Sequence, residues 1–284
     1  MTARILSLFL CLQLAWLLGG CASTQPVSLN EVRAFADASA SLGGYGELSR
    51  RYRDTYEREQ PYLSASADRL ARVNDAKRRV VYNDFLSVQK SVVLYMQTLS
   101  ALASDTRYDL GPRLDELGAG LKATTDSGLT PRHMTAYMGM TRLLSRAVTS
   151  GVQHRNVETM VRDGDADLQT LIDAMITLTR LYAKTYDNEK KTVLGLLDVE
   201  LASAPRGTER MLVVLARVHL QNKATEFRLL DKRYDLAMQG LSKVSLGHQT
   251  LRENLHRLTG ADLRLALGNY ASDLRVIHDG LRGD

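Results

Sequence analysis

Residues 227–258 read FRLLDKRYDLAMQGLSKVSLGHQTLRENLHRL. Phe227, Leu230, Tyr234, Ala237, Leu241, Val244, His248, Leu251, Leu255 and Leu258 follow one another at alternating steps of three and four. On an α-helix that spacing draws a single stripe, the seam of a coiled coil. Thr259-Gly260 shifts the phase by one. Leu263, Leu267, Tyr270, Leu274, Ile277 and Leu281 then carry the rhythm onward.

The same pattern recurs upstream. Val81, Phe85, Val88, Val92, Tyr95, Leu99 and Leu102 form a second seam, on a long helix expected over Pro61 to Ser104. Its first half, with Leu63, Ala67, Leu70 and Val73, is out of step, and the shift falls near Lys77–Arg79. Before it, Ser28 and Glu31 match a capping box that starts a first helix to about Leu42. A second piece runs from Glu47 to Gln60. A shorter element lies around Leu114, Leu117 and Leu121. Thr130-Pro131 is a cap followed by proline at the first helical position, opening a helix with Met134, Tyr137, Thr141, Leu144 and Val148. Gly164 is expected to end it. The next helix begins near Asp165 and carries Leu168, Leu171, Met175, Leu178, Tyr182, Tyr186, Val193, Leu197 and Leu201 until Ala204-Pro205-Arg206-Gly207. No stretch alternates with period two. Long helices joined by short turns pack as antiparallel neighbours. The expected fold is all-α: an elongated antiparallel helical bundle over residues 29–284, partly coiled-coil in character.

Composition bounds the rest. Both cysteines, Cys11 and Cys21, lie in the first 21 of the 284 residues, so the body has no thiol pair for a disulfide. Net charge is +5, mildly basic with acids and bases interspersed; no nucleic acid partner is expected of an exported protein. The clusters Arg50-Arg51-Arg53 and Lys77-Arg78-Arg79 read as solvated helix faces. Twelve tyrosines suit half-wet seams.

The N-terminus has its own grammar. Arg4 precedes a run from Ile5 to Leu18 broken only by Ser7 and Gln13, and Leu18-Gly19-Gly20-Cys21 follows. The order is that of a secretory signal peptide, and the run is shorter than the roughly 20 residues that span a bilayer. The tetrapeptide resembles the lipobox of bacterial lipoproteins. That resemblance implies cleavage before Cys21, a diacylglyceryl group on its sulfur and an acyl chain on its new amino group. It implies a signal peptide over 1–20 and a lipidated tether over 21–28. Ala22 and Ser23 are the expected sorting residues, and without an aspartate there the known sorting pattern implies release to the outer membrane, facing the periplasm. The resemblance covers residues 1–23 and is silent on the fold of the body.

Chemical motifs are weak. Asp163-Gly164-Asp165-Ala166-Asp167 lacks the glycine and glutamate spacing of a calcium loop and reads as a helix start with acids in its first turn. Gly118 to Ala123 fits G-x-G-x-x-A but follows a helix, not a strand. Ser87-Val88-Gln89-Lys90 fits S-x-x-K without its partner motif. Neither H-E-x-x-H spacing nor thiols mark the six histidines as zinc ligands. His248 reads as a satisfied core or register-setting residue. The pairs Tyr52/Tyr56 and Tyr182/Tyr186 read as core or rim, and Arg282-Gly283-Asp284 as a chance tripeptide. No catalytic, cofactor or metal site is expected. The expected function is a lipid-anchored envelope protein, not an enzyme, whose body binds or scaffolds another envelope protein. The alternatives are an immunity-type lipoprotein that neutralises a toxin, and a cell-wall or lipid hydrolase.

Overall fold

A computed structural model describes residues 29–41, 44–104, 127–149, 153–204 and 209–282, with positions 114, 117 and 121. Among the described residues the regular structure is entirely helical. In chain order the helices are α1 (Asn30–Ala40), α2 (Gly44–Arg53), α3 (Thr55–Glu59), α4 (Ala65–Leu102), α5 (Pro131–Thr149), α6 (Gln153–Ser203), α7 (Arg210–Glu253) and α8 (Ala261–Arg282). Short 3-10 turns occupy Gln60–Tyr62 and Leu255–Arg257. The expected all-α bundle is the fold observed.

The antiparallel pair α6 and α7 forms the frame. At 51 and 44 residues they are rods of about 76 and 66 Å at 1.5 Å per residue. The seam of α7 is buried from Phe227 to Leu251. Leu255 and Leu258 are only half-buried, because the helix stops at Glu253 and the chain turns back. That turn is the source of the phase shift at Thr259-Gly260. α8 then returns along α7, with Leu263, Leu267, Leu274, Ile277 and Leu281 buried. The Arg233 guanidinium donates to the Leu281 carbonyl at 2.7 Å and fixes their register. α1 lies across α4, α7 and α8, with Phe35 pressed against Gly247 and against the Tyr270 ring.

Several boundaries differ from expectation. The long helix α4 starts at Ala65, not Pro61. Ser64 takes extended backbone and its hydroxyl accepts from the Ala67 N–H, so the helix starts four residues later than expected and Pro61 falls in the 3-10 turn. The piece before it breaks at Asp54, whose carboxylate binds the Arg53 guanidinium. Gly164 does not end a helix. It sits within α6, where an added methyl would lie 2.6 Å from the Tyr95 ring and 2.8 Å from Leu143. The glycine there is a packing contact between helices, and the acids Asp163, Asp165 and Asp167 are mid-helix and not in a first turn. Ser28 and most of residues 105–126 lie outside the described residues, although Leu117 and Leu121 join the core.

The phase shift within α4 has a plain cause. Val81, Phe85, Val88, Val92, Tyr95 and Leu99 face the core, while Leu70 and Val73 of the out-of-step half are exposed. The basic clusters are not wholly solvated. Arg78 is only 7% exposed. Arg51 reaches inward to Glu189 and Glu226. The tyrosine pairs are largely core. Tyr52, Phe85 and Tyr182 stack with centroids 4.7 to 5.8 Å apart. Tyr186 continues the column to Phe227 and Tyr234. Such contacts add about 0.5–1.5 kcal/mol per pair beyond area burial.

Truncating a fully buried seam residue, Leu241→Ala, should cost about 2–5 kcal/mol in a denaturant melt. Gly164→Ala should cost about 1–3 kcal/mol by overpacking Tyr95. Lys243→Ala removes an exposed pair with Asp273 and a contact with the face of Tyr270 and should cost at most about 1 kcal/mol. Equal melts for Leu241→Ala and wild type would overturn the packed seam.

Candidate interaction surface

Three features of the bundle, two polar and one apolar, differ in access. The first joins α4, α6 and α7. The Tyr95 hydroxyl lies 2.7 Å from His248 Nε2, and His248 Nδ1 lies 3.0 Å from Asp165 Oδ1. Arg252 reaches the other Asp165 oxygen at 3.1 Å. The set is satisfied when Tyr95 donates to Nε2 and Nδ1–H donates to the carboxylate. The hydrogen bond from His248 holds the Asp165 carboxyl below its ordinary range, burial working against it. A hydroxyl, an imidazole and a carboxylate in line are the parts of a proton relay. Here Tyr95 and His248 are both fully buried, so the line serves as a lock between helices.

The second feature is ionic. Glu189 is 2% exposed and takes two bonds of 2.8 Å from Arg58. Arg51 approaches it at 3.4 Å and also binds Glu226 at 3.0 Å. A buried carboxylate is tolerated only with such partners. The network clamps the α2–α3 corner onto α6 and α7.

The third is the far end of the α6–α7 pair, and it is open. Above Phe227 the α7 seam continues through Val213, Ala216, Leu220 and Lys223, but these are only half-buried. On the opposite side of the helix stand Met211, Val214, Leu215 and Val218, at i, i+3, i+4 and i+7, and all are exposed. Met211 is 66% and Leu215 56% exposed. This turn of helix is apolar on both sides, a pattern that belongs to a helix buried all round. One side has α6; the other has no partner among the described residues. The segment from Arg210 to Thr225 carries Arg210, Arg217 and Lys223 and no acid of its own, and Lys223 pairs with Glu226 just beyond it. Val199 of α6 is exposed at the same end. The reading of the sequence missed this surface because it followed one stripe per helix; the signal was a second stripe 180° away.

The other singled-out residues do not converge. Cys21, Ala22, Ser23, Gly283 and Asp284 lie outside the described residues, as does nearly all of Gly118–Ala123. Ser87 lies within α4 and donates to the Asn83 carbonyl. His133 caps α5, accepting at Nδ1 from the Thr130 N–H. His219 stacks on Tyr62, far from His248. Among the described residues no three His, Cys, Asp or Glu side chains gather as metal ligands, and no helix is long and apolar enough to cross a membrane. No protein-family model, curated protein or solved structure matches the chain.

The Asp165 lock has a pH signature. A carboxyl held low in the folded state stabilises the fold above its ordinary value of 3.8, and that stability is lost as the pH falls through the folded value. Asp165→Asn should therefore melt below wild type at pH 7, and the gap should narrow as the pH drops below about 4. Urea melts at pH 7 and pH 3 decide it; a gap of equal size at both would contradict the lock.

Proposed function

We propose that this protein is a non-catalytic, lipid-anchored envelope protein whose helical body binds or scaffolds another envelope protein through the open end of the α6–α7 pair. The observation that supports this reading best is the unpartnered stripe Met211, Val214, Leu215 and Val218. Its length fits about two turns of a partner helix, and its flanking cations Arg210 and Arg217 favour a partner with acidic flanks. The occupant is accordingly an amphipathic helix with an apolar stripe bordered by Asp or Glu.

Anchor and surface sit at opposite ends in this reading. Phe35, soon after the first described residue, packs on Gly247. Thirty-six residues of α7 separate Gly247 from Met211, about 54 Å of helix. The tether from Ala22 to Ser28 extends about 25 Å at most. A bilayer holding the acylated Cys21 would lie beside the α1 end, and the stripe would project away from it. The lack of an aspartate at Ala22 and Ser23 favours the outer membrane, with the body in the periplasm. The full burial of Tyr95 and His248 favours a binding role over a hydrolase.

Labelled fatty acid should enter the wild type and not Cys21→Ser; equal labelling removes the basis for the anchor. A photo-crosslinking residue at Val214, in intact cells, should form an adduct with an envelope protein through an acid-flanked helix. The same residue at exposed Gln249 should not. An adduct of twice the chain's own mass would instead mean self-association, and no adduct at 214 would defeat the assignment of the surface.

A further inference from the structure

A second site lies between the α2–α3 corner, α4 and α6. A cleft of about 290 Å³ opens there, with Glu59, Asn74, Lys77, Arg78, Thr185 and Asn188 on its walls. The size is near the lower limit of small-molecule pockets. It suits a ligand no larger than an amino acid or a sugar phosphate. Most of the lining groups are hydroxyls, amides and charges.

Arg78 is the unusual member. Its side chain is 8% exposed. Yet Nε and Nη2 have no hydrogen-bond partner among the described residues. The nearest carboxylate oxygen is Asp75 Oδ1, at 3.9 Å from Nη2, too long for a hydrogen bond. The other Asp75 oxygen is taken by Arg79 at 2.7 Å. A buried guanidinium with two N–H groups lacking acceptors is costly. Arg58 of α3, by contrast, has its fork filled by Glu189. Two inward arginines thus differ in their partners: Arg58 is hydrogen-bonded to its carboxylate, whereas Arg78 of α4 only stands near one, Asp75 Oδ1, which itself has no hydrogen bond among the described residues.

We propose that this cleft binds a small polar molecule through an oxyanion group, carboxylate or phosphate, seated on the Arg78 guanidinium. The planar fork of arginine matches both groups with two parallel hydrogen bonds. Lys77 adds a second positive charge to the wall, while Asn74, Thr185 and Asn188 offer neutral donors and acceptors for the rest of the ligand. Glu59 opposes an anion; burial pushes its carboxyl above the ordinary range, while the Arg78 charge works the other way. Glu189, close by, is already neutralised by Arg51 and Arg58. This site is independent of the α7 stripe.

The test is thermal unfolding of the full-length protein in detergent, titrated with inorganic phosphate, with acetate, and with chloride at matched ionic strength. Phosphate strengthens burial in any protein by exclusion from the surface, so a general rise is expected in every variant. A bound anion adds a saturable rise on top of it. The expected result is a saturable increment of a few degrees in the wild type with phosphate or acetate and none with chloride. Arg78→Met should keep the general rise and lose the saturable one, while melting without added anion no lower than the wild type. Asn188→Leu, which fills the cleft without touching the guanidinium, should lose it as well and serves if Arg78→Met does not fold. Saturation by phosphate alone points to a phosphate-bearing ligand, and by acetate to a carboxylate. A rise that is linear in concentration and equal in wild type and Asn188→Leu would mean a cleft filled by water only, and would overturn the proposal.

Discussion

The bundle depends on the contact between α6 and α7. With no cysteine in the body, nothing covalent ties one helix to the next. Cohesion must come from apolar stripes that meet along tens of ångströms, at about 25 cal/mol for each Å² removed from water. The seam residues Leu241, Val244 and Leu251 supply that burial. Two polar cross-links then fix the register: His248 to Asp165 at one level and Lys190 to Asp231 at another. A slide of one turn along the seam would separate both pairs, so the polar contacts select one alignment among those the apolar stripe permits.

Glycine has two uses in this frame, neither of them flexibility. Gly164 and Gly247 are helical positions where a neighbouring ring occupies the space of a Cβ: Tyr95 at the first and Phe35 at the second. Through them α4 and α1 approach the central pair closely enough for Tyr95 to reach His248. Glycine inside a helix costs about 0.5–1 kcal/mol relative to alanine, and the aromatic packing offsets that cost here.

Much of this was legible in the sequence and some was not. The steps of three and four in α4, α7 and α8 identify the fold class and most buried positions, because a stripe that repeats over many turns has few other uses. The boundaries were less legible. Gly164 looks like a helix end, since local propensity opposes it; only the ring of Tyr95, 69 positions away in sequence, gives the reason for its place. Arg78 looks solvated beside Lys77 and Arg79, but one position in three on a helix turns inward. The apolar run Met211–Val218 carries its message on two faces, and a search for a single seam does not see the second. Lipid attachment at Cys21 rests on a short motif outside the described residues and is legible only as chemistry at the terminus.

The central claim is that α7 is one helix with two fates, packed below Phe227 and waiting for a partner above it. Native-state hydrogen exchange along α7 tests it most directly. Amides from Phe227 to Leu251 should open only with the whole molecule, while those from Arg210 to Asn222 should open at a markedly lower free energy, as a segment with few buried contacts does. Uniform protection along the whole of α7 in the isolated monomer would contradict the claim, for it would show that the end is already held by its own chain and needs no partner.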